Sequence, residues 1–203
     1  MRTHRLAVTG AHLFVPETHL DDRGSFVSPF QEPAFRAAVG TALFPVAQTN
    51  ISESRRGVLR GIHFTRTPPG TAKYVSCVRG RALDVVVDLR IGSPTFGRWD
   101  AVELDGTTAG AVYLPLGVGH AFLALAEGTV MSYLMSGGYV AEHELAVSAT
   151  DPELGLPLPH GIELVRSARD RAAPTLARAR AAGLLPRYTD CVDPAQDTRT
   201  VGT

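Results

Sequence analysis

Short apolar runs succeed one another along the chain up to about Ser148, and turn-forming clusters punctuate them at close intervals. Leu83, Val85, Val87 and Leu89 share one face of an alternating run, with Asp84, Asp88 and Arg90 on the other. That period of two predicts a half-buried strand. Val86 interrupts the polar face and points to cover on both sides. Further strands are predicted over Val46–Ser52, Val58–Phe64, Lys73–Val78, Trp99–Leu104, Ala111–Pro115, Ala121–Ala126 and Val130–Met135. Clusters such as Pro68-Pro69-Gly70, Gly92-Ser93-Pro94, Asp105-Gly106 and Glu127-Gly128 separate them. Short helices are predicted over Pro33–Val39 and over Pro174–Ala182, the second closed by Gly183. Strands do not alternate with long helices, so the expected class is all-β, an antiparallel jelly roll with a few short helices.

At 203 residues the chain suits one domain, expected over residues 1–188, with 189–203 as a flexible C-terminal tail. A domain of this size buries roughly 70% of its unfolded surface. Twenty acidic and twenty basic residues cancel, and no basic block stands out, so neither nucleic acid nor an anionic membrane is an expected partner. Small anionic ligands remain open. Cys77 and Cys191 do not make a disulfide framework, which favours a reducing cytoplasm. The N-terminal apolar stretch is broken by Gly10 and His12, unlike a signal peptide. Ala111 to Ala126 is interrupted by Gly117, Gly119 and His120 and is shorter than a membrane span.

Lys73 is the only lysine among twenty Lys plus Arg, and His63 stands ten residues before it. A compact ammonium can face a developing oxyanion, and an imidazole can take a proton near neutral pH. A lone strand histidine is ordinarily a satisfied structural residue. Arg60 points to the face opposite His63 in an ideal strand, unless a bulge at Gly61 re-aims it. His120 ends Pro115-Leu116-Gly117-Val118-Gly119-His120, a Pro-x-Gly-x-x-His pattern found in small-barrel cupins, where a polar plug at the barrel mouth is the structural alternative. Metal-binding cupins add a His-x-His pair. Here that stretch reads His63-Phe64-Thr65, so no complete ligand set is evident and a bound metal is not expected. Tyr133 and Tyr139 fit aromatic packing, although a phenol can serve as an acid. Asp170, in Ser167-Ala168-Arg169-Asp170-Arg171, reads as part of a solvated loop.

Taken together these residues resemble the dTDP-4-dehydrorhamnose 3,5-epimerase family, cupins that epimerise nucleotide-linked 4-keto-6-deoxyhexoses without a cofactor. Blocks that carry the resemblance include Asp22-Arg23-Gly24 with Phe26, Gln48-Thr49-Asn50, Gly57 to His63, Ala72-Lys73, Asp84 to Arg90 with Gly92 to Gly97, and Pro115-Leu116-Gly117 with His120-Ala121-Phe122. It implies a cupin-type jelly roll (double-stranded β-helix). His63 resembles the catalytic base and Asp170 its carboxylate partner, which would orient the ring and favour its protonated form. Lys73 resembles the group facing the C4 oxygen, and Tyr133 the acid on the opposite sugar face. Arg23, Phe26, Gln48, Asn50, Arg60, His120, Tyr139, Glu144 and Arg169 resemble the pocket for sugar, diphosphate and thymine. The resemblance also implies a homodimer in which Arg23 and Phe26 enter the neighbouring subunit's pocket. Ser28, Thr150 and Leu158 depart from residues common in the family, and Phe26-Val27-Ser28-Pro29-Phe30 is closer to epimerases of antibiotic deoxysugar pathways.

The expected activity is inversion at C5 and/or C3 of a dTDP-linked 4-keto-6-deoxyhexose, with C5 favoured. The keto group acidifies both flanking C–H bonds because the carbanion delocalises onto oxygen. The alternatives are a non-catalytic nucleotide-sugar binding cupin, a metal-dependent cupin isomerase or dioxygenase, and a sister ketoisomerase.

Overall fold

The structure, a computed structural model, describes residues 1–192. Its N-terminal half contains β1 (Arg2–Arg5), β2 (His12–Val15), β3 (Thr18–Asp21), β4 (Gly24–Val27), α1 (Glu32–Val39), β5 (Gln48–Ser54), β6 (Leu59–Thr65), β7 (Lys73–Arg79) and β8 (Arg81–Asp88). There follow β9 (Trp99–Asp105), β10 (Ala111–Leu114), β11 (Val118–Ala124), β12 (Thr129–Met135), β13 (Glu144–Ala146), α2 (Ala168–Ala172) and α3 (Leu176–Ala181). Strand order is β1-β2-β10-β7-β12-β5 in a six-stranded sheet and β13-β6-β11-β8-β9 in a five-stranded one, with β3-β4 as a separate hairpin. Strands that neighbour in a sheet pair antiparallel, and the two sheets close on one another as a jelly roll.

The interior of the roll is apolar where the sheets face. Val75, Cys77, Val112, Leu114 and Met131 from one sheet meet Ala82, Val86, Leu104, Phe122 and Ala124 from the other. β8 corrects the half-buried expectation. Its apolar face of Val85, Val87 and the following Leu89 points out of the roll, beneath Val147, Ala149, Leu154, Ala179 and Leu185 of the C-terminal segment. The polar face is therefore the inner one, so Asp84 and Asp88 are both buried. Asp88 is stabilised there by Arg90, whose Nε and Nη2 donate at 2.8 Å, and by the Ser93 hydroxyl at 2.6 Å. On the outer face of the six-stranded sheet, Phe35 of α1 packs against Phe14 and Tyr74.

Predicted strands fall within a few residues of observed ones, while β1 to β4, β13 and α2 were not predicted. β1 is exposed along its whole length and β13 has three residues, so neither carries an alternating pattern to read. The expected boundary at 188 falls in packed structure. Tyr188–Asp190 forms a 3₁₀ turn and Cys191 is buried beside Gly117, where a β-carbon would come within 2.5 Å of its sulfur. The rest of the expected tail, 193–203, lies outside the described residues. Among the described residues no helix is long and apolar enough to cross a membrane.

Candidate active site

Six strands, α2 and the turns beside them converge on a cavity of about 360 Å³ at one mouth of the roll. His63, Lys73 and Tyr133 line it, together with Gln48, Asn50, Arg60, His120, Tyr139, Glu144 and Arg169. Arg60 and His63 share it because β6 is bulged. On β11 the register partners of His63 and Arg60 are His120 and Phe122, so three steps on one strand match two on the other. Gly61 takes up the extra residue at φ 113°, and a β-carbon there would lie 2.4 Å from the His120 carbonyl oxygen. Glycine at this position is what lets both side chains face the cavity.

The base candidate is fixed from behind. His63 Nε2 and Asp170 Oδ1 are 2.6 Å apart, and Asp170 is buried at the first turn of α2, where the Ser167 hydroxyl accepts its backbone N–H at 3.0 Å. The solvated loop expected here is instead a capped helix, with Asp170 turned inward by the cap. Burial works to raise the Asp170 carboxyl, yet hydrogen bonds with His63 and Ser167 and the charges of His63 and Arg169 hold it below the usual carboxylate range. A carboxylate accepting at Nε2 leaves the proton there and the lone pair on Nδ1. Asp170 itself lines an adjoining cavity that shares Arg60, His63 and Arg169.

Lys73 opens β7 and is 7% exposed. Burial lowers its pKa, with Arg169 acting in the same direction and Glu144 and Asp84 opposing. Tyr133 lies on β12 of the same sheet, one strand over, its Oη 3.4 Å from Ser52 Oγ. Burial pushes its phenol well above the ordinary range, so it keeps its proton at neutral pH. His63 comes from the opposite sheet. The cavity therefore has one titratable wall at His63 and another at Tyr133, with the lysine on the latter's sheet, opposite Met135 on the adjacent strand.

Other side chains brace this arrangement. Gln48 donates to Asn50 Oδ1 at 2.7 Å and accepts the Tyr139 backbone N–H at 2.8 Å, tying the segment after β12 to β5. Glu144 accepts from Thr65 Oγ1 at 3.3 Å. His120 Nε2 lies 2.7 Å from Asp84 Oδ2, both groups buried. Ser52, Thr71, Phe122 and Met135 also line the cavity and were not singled out from sequence. Asp84 was assigned to a polar strand face without a role; the signal was present, but only closure of the roll makes that face the inner one.

Arg23 and Phe26 do not line this chain's cavity. They sit on the β3–β4 hairpin, where Phe26 is 68% exposed and Arg23 pairs with Asp21. Among the described residues no group of three or more His, Cys, Asp or Glu side chains is placed to hold a metal ion.

A family model described as dTDP-4-dehydrorhamnose 3,5-epimerase matches residues 5–178. A dTDP-4-dehydro-6-deoxyglucose 3-epimerase of Streptomyces bikiniensis is 51% identical over 185 residues, which cover 91% of this chain and 94% of the relative. A dTDP-4-dehydrorhamnose 3,5-epimerase of Mycolicibacterium smegmatis is 47% identical over 191 residues, 94% of each chain. Among solved structures, a 4-keto-6-deoxy sugar epimerase from the novobiocin biosynthetic gene cluster of Streptomyces spheroides superposes with a TM-score of 0.90 at 47% identity, covering 95% of this chain and 96% of that one. With its jelly roll and its cavity residues in place, this chain belongs to the dTDP-4-dehydrorhamnose 3,5-epimerase family.

Proposed function

We propose that this chain epimerises a dTDP-linked 4-keto-6-deoxyhexose by proton transfer alone. One observation carries the reading: His63 and Tyr133 stand on opposite sheets across a single cavity, with Lys73 lining it from the strand adjacent to the tyrosine's. His63 Nδ1 takes the proton from the carbon beside the keto group, and the C–H electron pair passes to the C4 oxygen as an enolate. Lys73 stabilises that oxyanion; a preorganised donor of this kind contributes about 3–4 kcal/mol to the transition state. Tyr133 then gives its O–H proton to the opposite face of the carbon, leaving imidazolium and phenolate to be reset by solvent. Base and acid on opposite faces make the outcome inversion rather than return.

The sequence favoured C5. The relatives described above are a 3-epimerase and a 3,5-epimerase by name, which supports including C3. The names of the same relatives support a dTDP-deoxysugar substrate, and the novobiocin gene cluster of the solved neighbour supports an antibiotic pathway. The exposed hairpin carrying Arg23 and Phe26 fits a homodimer in which each subunit completes the other's pocket.

NMR of dTDP-4-keto-6-deoxyglucose incubated with the protein in deuterium oxide tests this reading. Deuterium entering at C3, or at C3 and C5, with inverted product is the expected result, and His63→Asn should abolish the exchange while nucleotide binding persists. Binding without exchange in the unaltered protein would identify a non-catalytic nucleotide-sugar module instead.

A further inference from the structure

His120 and His63 are register partners on the adjacent strands β11 and β6, and each ring presents Nε2 to a carboxylate, at 2.7 Å from Asp84 and 2.6 Å from Asp170. The two pairs differ in their surroundings. Asp170 has Ser167 and Arg169 beside it, and the His63 side chain is 29% exposed. Asp84 and His120 are both buried, and Asp84 Oδ1 is a buried polar atom with no hydrogen-bond partner among the described residues. A buried carboxylate oxygen without a donor is destabilising, and folded chains retain few of them. Packing does not call for one here. Ala82 and Val86, two residues to either side on the same face of β8, are apolar and belong to the interior cluster.

The Asp84 carboxylate does hold His120. That ring lines the cavity and stands edge-on to Tyr133, with centroids 6.0 Å apart and planes at 75°. The phenol's hydrogen-bond partner, Ser52 Oγ, is 3.4 Å away, long for an O–H···O bond and a weak restraint.

We propose that Asp84 is a positioning residue for the inversion step: through His120 it holds the Tyr133 ring where its hydroxyl meets the sugar face opposite His63. The inference rests on the epimerase reading above. Asp84 does not line the cavity; it holds the histidine, and its charge also raises the pKa of the Tyr133 phenol directly, so that removing the charge alone would make the acid stronger, opposite to the slowing expected from lost positioning. The Asp84 charge also reaches Lys73, as does that of Glu144, so the experiment must separate the acid from the enolate stabiliser.

The test follows Asp84→Asn and the unaltered protein with dTDP-4-keto-6-deoxyglucose in deuterium oxide, recording exchange beside the keto group, inverted product and thermal midpoint together. The expected result is an undiminished midpoint, exchange within about threefold, and inversion slowed by about tenfold or more, a split also expected of Tyr133→Phe. Exchange and inversion falling in parallel would assign Asp84 to the charge on Lys73 and overturn the proposal, as would unchanged inversion. Should Asp84→Asn not fold, Asp84→Leu, which continues the apolar stripe, is read in the same way. Failure of both to fold would make Asp84 a structural brace and equally overturn the proposal. If the unaltered protein shows neither exchange nor inversion, it is the epimerase reading that fails.

Discussion

Asp170 stands 107 residues beyond His63 in the chain, and its Oδ1 lies 2.6 Å from His63 Nε2. The contact fixes which ring nitrogen faces the cavity. Asp170→Asn keeps the shape of the side chain, but its amide can donate to Nε2 and move the imidazole proton to Nδ1, the atom proposed as the base. Turnover is expected to fall by about 10² to 10⁴, the usual contribution of a positioned general base, while nucleotide affinity changes little. Steady-state kinetics with dTDP binding by calorimetry check this. A variant with normal turnover would remove Asp170 from the mechanism.

In the proposed mechanism Lys73 sets a pH limit on the reaction. Its ammonium form is the one that faces an enolate, and burial lowers its pKa. Activity should therefore be present below that lowered value and decline as pH rises through it, earlier than the ordinary lysine value of about 10.4 would allow. Tyr133 does not set this limb, because burial moves its phenol upward. In Lys73→Arg the guanidinium stays protonated, so the alkaline decline should shift up or vanish even though the bulkier fork lowers the maximal rate. An identical decline in both pH profiles would sink the assignment. Lys73→Met should cost on the order of a hundredfold in turnover at neutral pH.

Stability has its own ionic centre at the buried Asp88–Arg90 pair. Asp88→Asn leaves the guanidinium buried without its counter-charge, which costs about 3–5 kcal/mol. For a chain of this size that lowers the thermal midpoint by roughly 6–20 °C. Burial works to raise the Asp88 carboxyl, but the hydrogen bond and charge of Arg90, with Ser93 and Thr95, hold it below the usual range. A depressed native value stabilises fully above the unfolded carboxylate pKa of about 3.9 and is lost as pH falls through the native value. Asp88→Asn should therefore melt lower than the parent at pH 7, with the gap closing as the pH is taken well below 3.9. A constant gap across that range would show that the carboxylate's charge is not what stabilises.

Local patterning made the roll legible. Alternation and turn clusters located β5 to β12 because those strands are long enough to show a period of two. The same logic read β8 as half-buried, and only Val86 pointed to the cover on both sides that the structure has: closure of the roll turns Asp84 and Val86 inward and the C-terminal segment covers Val85 and Val87. His63, Lys73 and His120 could be singled out from their own segments. Asp170 could not, because a charged stretch gives no local sign that a serine cap will form a helix and bury one carboxylate against a strand more than a hundred residues earlier. Bringing Arg60 to the His63 side depended on Gly61, which sequence could pose only as a condition.

The hairpin supplies the last prediction. Phe26 and Leu20 are 68% and 79% exposed, and Arg23 points to no group of this chain's cavity, an apolar and cationic projection suited to a nucleotide bound elsewhere. If each arm completes the pocket of the other subunit, Arg23→Ala and His63→Asn damage different halves of one composite site. Each variant alone should be nearly inactive. After unfolding and joint refolding in equal amounts, half of the twofold dimers are mixed, and each mixed dimer has one site with both residues intact, so about a quarter of the parental activity should return. No recovery, in material shown by native mass spectrometry to contain mixed dimers, would place Arg23 in its own subunit's site.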